Sequence, residues 1–262
     1  LIFDSSIYTY ADLKSKIDLV DLYLSKFKNK ENILVITEDS YHLGILLLTA
    51  AKIGKTIIPL SKDLKEKQIL DQISYVSPDL IIYSPTFRKI VNKIKNTISI
   101  CTKNIFKSTS NQKHKIKYLK KNFFNKNYII TFSSGTTSKP KPILFTQKIK
   151  YLRYKHIKKL YSVRKTDVIL TSSPLDHSLG QRLFFLAVLT GCSLIYLNSY
   201  NLQIWKRIIK QNKVSFTILP SNYLRLLKRD LLSKKIKIRK IVSAASDISK
   251  NDKVALKKKI NF

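Results

Sequence analysis

The sequence predicts an α/β fold built on a mainly parallel sheet, and three observations support this class. Short apolar runs rich in β-branched and aromatic residues alternate with longer segments of helical periodicity. The two kinds of segment follow one another at the spacing of βαβ units. Of the 262 residues, 44% are hydrophobic, so one large domain or two small ones can bury a sizeable core.

The first helix is predicted to begin after Thr9, which is a suitable N-cap. Asp12 follows three residues later, as the acidic residue of a capping box does. Residues 32–36, 56–60 and 80–83 are predicted strands, and residues 40–52 and 63–75 are predicted helices between them. Gly54 is expected to end the second helix in the left-handed conformation.

The pattern weakens over residues 97–127, where Lys, Asn and Ser dominate. We predict a variable connection here with one short strand. Its basic, aromatic-bearing part, residues 115–126, is compatible with single-stranded nucleic acid binding. Because no OB-fold or RRM motif accompanies it, the alternative is favoured, a solvated loop that packs its aromatic side chains inward.

Predicted strands and helices alternate again in the second half of the chain. Predicted helices cover residues 148–162, 183–189, 202–211 and 222–232, and predicted strands cover residues 128–132, 143–146, 167–171, 191–196, 214–219 and 238–242. Residues 243–249 form a strand-to-helix turn, with Ser246 or Asp247 as the expected N-cap. We expect two α/β subdomains, residues 1–96 and 128–262, joined by the variable connection at 97–127.

The charge balance is strongly basic. Fifty Lys and Arg against 16 Asp and Glu give a formal net charge of +34, which favours anionic ligands. AT-rich coding, which favours Lys, Ile and Asn together, is an alternative cause of the lysine excess. No Asp or Glu lies between Asp79 and Asp167. This interval therefore favours a polyphosphate ligand, whereas the lack of a nucleic-acid-binding motif predicts no specific nucleic acid partner.

Two distant cysteines, Cys101 and Cys192, fit neither a metal site nor a redox motif, so a reducing cytoplasm is the expected location. The longest apolar run, residues 183–197, is too short to span a membrane and contains Gly191. We therefore expect no transmembrane segment.

A loop rich in hydroxyls separates the predicted strands 128–132 and 143–146. It reads Ser-Ser-Gly-Thr-Thr-Ser-Lys-Pro-Lys over residues 133–141. Backbone amides and hydroxyls in such a loop can surround a phosphate while lysines add positive charge. A plain surface hairpin explains the same composition. The loop is not a Walker A motif, because Gly135 is followed by two threonines instead of Lys-Ser or Lys-Thr.

The sequence of this loop resembles the signature of the adenylate-forming superfamily, Ser/Thr-Ser-Gly-Thr-Thr-Gly-x-Pro-Lys-Gly. It departs from the signature at Ser138 and Pro142, where the family has glycine. Other stretches resemble family segments in the expected order. These are Tyr-Thr-Tyr-Ala-Asp-Leu at 8–13, Ala-Lys-Ile-Gly-Lys-Thr-Ile-Ile-Pro-Leu at 51–60, Pro-Leu-Asp-His-Ser-Leu-Gly at 174–180 and Ser-Ala-Ala-Ser at 243–246.

The resemblance implies layered sheets with flanking helices, as in the large N-terminal domain of these enzymes. It also implies that ATP activates a carboxylic acid to an acyl adenylate, with Mg²⁺ present, and that the thiol of coenzyme A or of a carrier protein then accepts the acyl group. An acyl-CoA synthetase-like ligase of fatty acid metabolism is the expected type. The implied nucleotide-binding residues are Ser133, Ser134, Gly135, Thr136, Thr137, Ser138, Ser243, Ala244, Ala245 and Ser246, and the implied catalytic residues are Lys141 and His177.

His177 directly follows Asp176. Because neighbouring side chains on an extended segment point apart, we expect no acid–base pair between them. The resemblance covers the first part of the family's large domain, so we expect an N-terminal part of a longer enzyme, inactive by itself. The resemblance places the family's protein ligand for Mg²⁺ outside these residues, so we expect no metal ligand among them.

Two other functions stay open. Four glycines of the family segments are replaced here, by Ser138, Pro142, Ala244 and Ala245. These replacements favour a nucleotide- or acyl-binding module without catalysis. The charge alone is compatible with a nucleic acid binder, for which only sequence or structure preference would be evidence.

Overall fold

The computed structural model describes residues 1–107, 123–133, 140–230, 236–244 and 246–261. Its strands alternate with helices, as the βαβ pattern predicts. The strands are β1 Ile2–Phe3, β2 Ser6–Ile7, β3 Asn32–Ile36, β4 Thr56–Leu60, β5 Leu80–Tyr83, β6 Ile98–Cys101, β7 Asn127–Phe132, β8 Pro142–Thr146, β9 Val168–Thr171, β10 Ser193–Tyr196, β11 Phe216–Pro220, β12 Ile236–Lys237, β13 Lys240–Ala244 and β14 Ile260–Asn261.

Most of the helices fall close to their predicted positions. The helices are α1 Tyr10–Leu24, α2 Ser40–Ile53, α3 Glu66–Val76, α4 Arg88–Val91, α5 Thr102–Lys107, α6 Gln147–Tyr161, α7 Ser178–Thr190, α8 Leu202–Gln211, α9 Ser221–Asp230 and α10 Lys250–Lys259, with short 3₁₀ turns at Ser25–Phe27 and Pro85–Phe87. Helices α4 and α5 were not predicted, and α5 lies within the stretch expected to be a connection. None of the helices in these described ranges combines the length and the apolar character needed to cross a bilayer.

The predicted ends of the first two helices are confirmed. Thr9 Oγ1 accepts the Asp12 amide at 3.0 Å, and the Asp12 carboxylate accepts the Thr9 amide at 2.7 Å, which completes a capping box. Gly54 ends α2 with φ of 71°. A side chain would be strained in this conformation, so the glycine is required by the backbone.

By internal contacts the chain separates into two compact units. We call one the loop unit, which comprises Thr9–Arg153 and Pro174–Ser178. We call the other the Asp167 unit, which comprises Leu1–Tyr8, Tyr154–Ser173 and Leu179–Phe262. These bounds differ from the division predicted at 97–127, because β6, β7 and β8 all belong to the sheet of the loop unit.

The sheet of the loop unit has the order β6-β5-β3-β4-β7-β8, and all neighbours are parallel except the β7–β8 hairpin. Its central strands β3, β4 and β5 are almost entirely buried, which is typical of a parallel sheet covered on both faces. An apolar cluster that includes Leu34, Ile58 and Ile81 joins these strands to Ile69 and Ile73 of α3.

The sheet of the Asp167 unit has the order β13-β11-β9-β10-β1-β2, parallel throughout except for β1 with β2. The core beside it is centred on Trp205, the single tryptophan, which is fully buried with Ile209, Leu219 and Leu227. The short strands β12 and β14 form a separate parallel pair.

Asp167 stands at the start of β9 and links three strands of its unit. Its carboxylate accepts the Ser215 hydroxyl at 2.6 Å, the Arg164 amide at 2.7 Å and the Arg239 Nη2 group at 2.7 Å. Burial by itself would raise the pKa of this carboxyl, but the hydrogen bonds from Ser215, Arg164 and Arg239 hold its pKa below the ordinary value. The residue is therefore a buried anion with all its partners in place.

We expect Gly54→Ala to destabilise the chain by about 2 kcal/mol, because two effects add. The backbone has a φ of +71°, and a Cβ atom would stand 2.5 Å from the Phe123 ring. Urea unfolding measures the loss. Gly191→Ala is the matched control, since φ there is +74° but the nearest atom, Lys165 Cε, is 3.9 Å away. Equal losses in both variants would show that the ring contact contributes nothing.

We expect Asp167→Asn to lower the free energy of unfolding by about 3 kcal/mol at neutral pH, because Arg239 loses its carboxylate partner. A carboxyl with a lowered folded-state pKa stabilises above its unfolded pKa of about 4, and this contribution is lost as pH falls through the folded value. The difference between wild type and variant should therefore shrink below about pH 4. Chemical denaturation across pH measures it, with the exposed Asp63→Asn as control. A difference that does not change with pH would contradict this assignment.

Candidate functional site

The loop predicted to bind phosphate is closed at its base by two hydrogen bonds. The Ser133 amide donates to the Lys141 carbonyl at 2.9 Å, and the Lys141 amide donates to Ser133 Oγ at 3.0 Å. The strands below continue the pairing, with Phe132 opposite Pro142 and Thr131 opposite Ile143. The loop is therefore the tip of the β7–β8 hairpin, and its two ends cannot separate without breaking this ladder.

The structure brings Ser133 and Lys141 together at this base. The Ser133 hydroxyl accepts the Lys141 amide, which leaves its own hydrogen free to donate elsewhere. The Lys141 side chain is exposed. The remaining predicted loop residues, Ser134, Gly135, Thr136, Thr137 and Ser138, lie outside the described residues.

Pro142 departs from the family signature, yet the structure accommodates it. It is the first residue of β8, and β8 is the last strand in the described sheet of the loop unit. An edge strand tolerates a residue without an amide hydrogen. This departure therefore needs no distortion of the hairpin.

His177 lies in the loop unit on the turn that precedes α7. Its amide donates to the Pro174 carbonyl at 3.1 Å, and Leu175 is buried, which anchors the turn. The His177 side chain is 61% exposed and its Nε2 atom lies 3.6 Å from Asp176 Oδ2. The prediction that these two side chains point apart is wrong, because the tight turn replaces the extended backbone on which it depended.

In the Asp167 unit, the carboxyl ends of three parallel strands lie at one edge of the sheet. Strand β13 ends at Ala244 opposite Pro220, where β11 ends, and β9 ends at Thr171. Ligands of open α/β sheets bind at this edge. Ser243 and Ala244 are thus strand residues at the end where a ligand is expected, while Ala245 lies outside the described residues.

Ser246 faces a partner that the sequence did not reveal. Its hydroxyl is hydrogen-bonded to the hydroxyl of Ser221, a buried residue directly after β11. The prediction that Ser246 or Asp247 caps the following helix is wrong. Ser249 Oγ accepts the Asp252 amide at 3.1 Å and is the cap of α10. Ser221 directly follows β11, which ends in Pro220, and this position at a strand end was the sequence feature that could have marked Ser221 as a site residue.

No group of three or more His, Cys, Asp or Glu residues able to hold a metal ion occurs in the described ranges. Of the two cysteines, Cys192 is no candidate nucleophile. Burial, and then the negative charge of Asp167, raises the pKa of its thiol to about 11. The described candidate residues of the loop unit therefore offer hydroxyls, amides, a lysine and a histidine, and those of the Asp167 unit offer hydroxyls and amides.

This fold, a pair of mostly parallel sheets with flanking helices, is that of the N-terminal domain of adenylate-forming enzymes. The family model described as AMP-binding enzyme matches residues 1–260. The chain belongs to the AMP-binding enzyme family.

Luciferin 4-monooxygenase of Photuris pensylvanica is 24% identical over 263 residues, which cover 90% of this chain and 48% of that protein. The O-succinylbenzoate coenzyme A synthetase of Bacillus subtilis, solved with ATP and magnesium, superposes with a TM-score of 0.87 at 16% identity, over 98% of this chain and 54% of that one. MatB of Rhodopseudomonas palustris, solved with ATP, has a TM-score of 0.85 at 14% identity, over 99% and 55%. The chain thus spans about half the length of these relatives.

We expect Ser221 and Ser246 to be energetically coupled, because each hydroxyl is the partner of the other. In a double-mutant cycle of Ser221→Ala and Ser246→Ala, the coupling energy should be about 1 kcal/mol. Thermal or urea unfolding of the four proteins measures it. Ser243→Ala, on the neighbouring exposed position, combined with Ser221→Ala provides the additive control. A cycle that closes to zero would show that the two hydroxyls act independently.

Proposed function

We propose that this chain provides the nucleotide-binding part of an enzyme that activates a carboxylic acid with ATP. The observation that carries the proposal is the closed hairpin at Ser133 and Lys141 in a chain of the AMP-binding family. In the proposed reaction a carboxylate oxygen attacks the α-phosphorus of ATP, the bond to the β-phosphate breaks, and pyrophosphate leaves. An acyl adenylate is the product.

The residues near the hairpin fit a polyphosphate. The hydroxyls of Ser133, Ser134, Thr136, Thr137 and Ser138 and the amide of Gly135 would donate hydrogen bonds to phosphate oxygens, and Lys141 would add positive charge. Because the base of the hairpin is closed at Ser133 and Lys141, both ends of the loop are held before a ligand binds, and fixed donors of this kind stabilise charge that develops in a transition state. No carboxylate between Asp79 and Asp167 opposes the phosphates.

For the remaining site residues we propose separate roles. His177, exposed on its turn, borders the carboxylate substrate, and Asp176 orients its ring. Ser243, Ala244, Ala245 and Ser246 border the adenine at the end of β13. The Ser221 hydroxyl holds Ser246 in place, which makes Ser221 a positioning residue.

Magnesium would neutralise part of the phosphate charge when bound. The acceptor of the acyl group is proposed to be the thiol of coenzyme A or of a carrier protein, which displaces AMP. None of the relatives named above is a fatty acid enzyme by name, so the acid is proposed only as a class. Both cysteines are buried and neither forms a disulfide, which supports a reducing cytoplasm as the proposed location.

Exchange of labelled pyrophosphate into ATP, dependent on the acid, tests the proposal in the full-length protein that contains this chain. We expect Lys141→Ala with Thr137→Ala to lower the exchange rate by about a hundredfold, because phosphate donors are lost. The control is Lys103→Ala, an equally exposed lysine of the loop unit. An unchanged rate in the double variant would refute the assignment of the loop. For the 262-residue chain alone we expect no exchange.

A binding module without catalysis is the second candidate, favoured by the alanines at 244 and 245, which approach a ligand less closely than glycine. It predicts that full-length protein binds ATP in calorimetry but shows no pyrophosphate exchange with any acid tested. Exchange above background would exclude it.

A further inference from the structure

Helix α6, Gln147–Tyr161, is packed on one side and carries large aliphatic side chains on the other. Ile157 and Lys150 are both 8% exposed and mark the packed side. Ile149, Leu152 and Leu160 are 42%, 51% and 54% exposed. At 3.6 residues per turn these three side chains project within about 80° of one another, so they form one outward stripe.

Basic side chains border this stripe on both sides. By the helical repeat, Lys148, Lys155 and Lys159 lie along one margin and Arg153 lies along the other, and all four are exposed. Helix α6 contains no Asp or Glu, and none occurs in the sequence between Asp79 and Asp167. His156, also exposed, lies between Leu152 and Leu160 on this face. The exposed face therefore carries three aliphatic side chains and one imidazole along its middle and positive charge at its edges.

The packed side of the helix lies against Phe145 of β8. Lys150 Nζ lies 4.2 Å above the centre of the Phe145 ring, and Arg153 also approaches this ring, at 5.1 Å. These cation–π contacts fix the N-terminal half of α6 on β8. The orientation that exposes Ile149 and Leu152 is thus set by packing, and the stripe faces outward as a consequence.

We propose that the outward face of α6 is a docking surface for an anionic lipid bilayer. A bilayer interface accepts both parts of this face at once, since lysines contact the lipid phosphates while aliphatic side chains enter the acyl boundary. A nucleic acid would satisfy the lysines but offers no comparable medium for three aliphatic side chains. The chain lies on the membrane in this proposal and does not span it, in agreement with the absence of a spanning helix from the described residues.

Co-sedimentation with lipid vesicles tests the charge and the stripe separately. We expect the wild-type chain to pellet with vesicles of equal parts phosphatidylcholine and phosphatidylserine and to remain in solution with phosphatidylcholine alone. The triple variant Ile149→Ser, Leu152→Ser and Leu160→Ser keeps every charge and should bind the mixed vesicles at least about tenfold more weakly. The matched control replaces three exposed aliphatic residues of other helices, Ile204, Leu226 and Val254, by serine and should bind as wild type does.

A probe on the helix itself separates insertion from simple attraction between opposite charges. Both native cysteines are buried, so Leu152→Cys can be labelled selectively with an environment-sensitive fluorophore. We expect its emission to shift to the blue with mixed vesicles, whereas the same label on Leu226→Cys should not shift. Circular dichroism confirms that each variant is folded, and the single substitution Leu152→Ser replaces any triple variant that is not.

The proposal is overturned by any of four results. These are no binding to the mixed vesicles, equal binding of the triple variant and wild type, no blue shift at position 152, and equal shifts at positions 152 and 226. Binding that depends on charge alone would identify a general polycation, to which nucleic acids or acidic proteins bind as well.

Discussion

The carboxylate of Asp167 is the contact on which the order of its unit depends. A buried anion is stable only if positive charge and hydrogen-bond donors surround it, and here these come from the turn before β9, the residue before β11 and Arg239 before β13. The three strands are thereby aligned at their amino ends. Because parallel strands in one register also end together, Thr171, Pro220 and Ala244 reach the same edge of the sheet, and Ser221 meets Ser246 there.

In the loop unit, the predicted phosphate-binding loop is held in place by hydrogen bonds between residues close in the sequence. Ordering any loop around a ligand costs conformational entropy. The antiparallel pairing of β7 with β8 and the two hydrogen bonds between Ser133 and Lys141 fix both ends of the loop in advance. Part of that ordering is therefore complete before any ligand binds, which lowers the entropic cost of binding.

The distribution of charge explains how so basic a chain folds. Several of the few carboxylates are placed where they stabilise structure directly: Asp18 and Asp21 both contact Lys52, and Asp252 contacts Lys228. The surplus of lysine stays at the surface, where solvent and salt screen its self-repulsion. An acid-free interval from residue 80 to residue 166 then contains both the hairpin loop and α6. Both features face anions in the proposals made above, a polyphosphate for the first and a lipid surface for the second.

The features that depend on near neighbours in the chain could be predicted from the amino-acid sequence alone. The Thr9 and Asp12 capping box, the left-handed Gly54 and the order of strands and helices all follow from local backbone chemistry and from periodicity. The resemblance of the hairpin loop likewise identified the family from a short run of residues. Tertiary structure decided everything that depends on distant partners. The pairing of β1 with β10 and the place of β7 and β8 in the sheet of the loop unit are two such features. Two others are the approach of His177 to Asp176 and the hydrogen bond of Ser246 to Ser221, which Ser246 forms instead of capping a helix. The physical reason is that a hydroxyl or a strand edge can be satisfied by many partners, and only the packing of buried side chains selects among them.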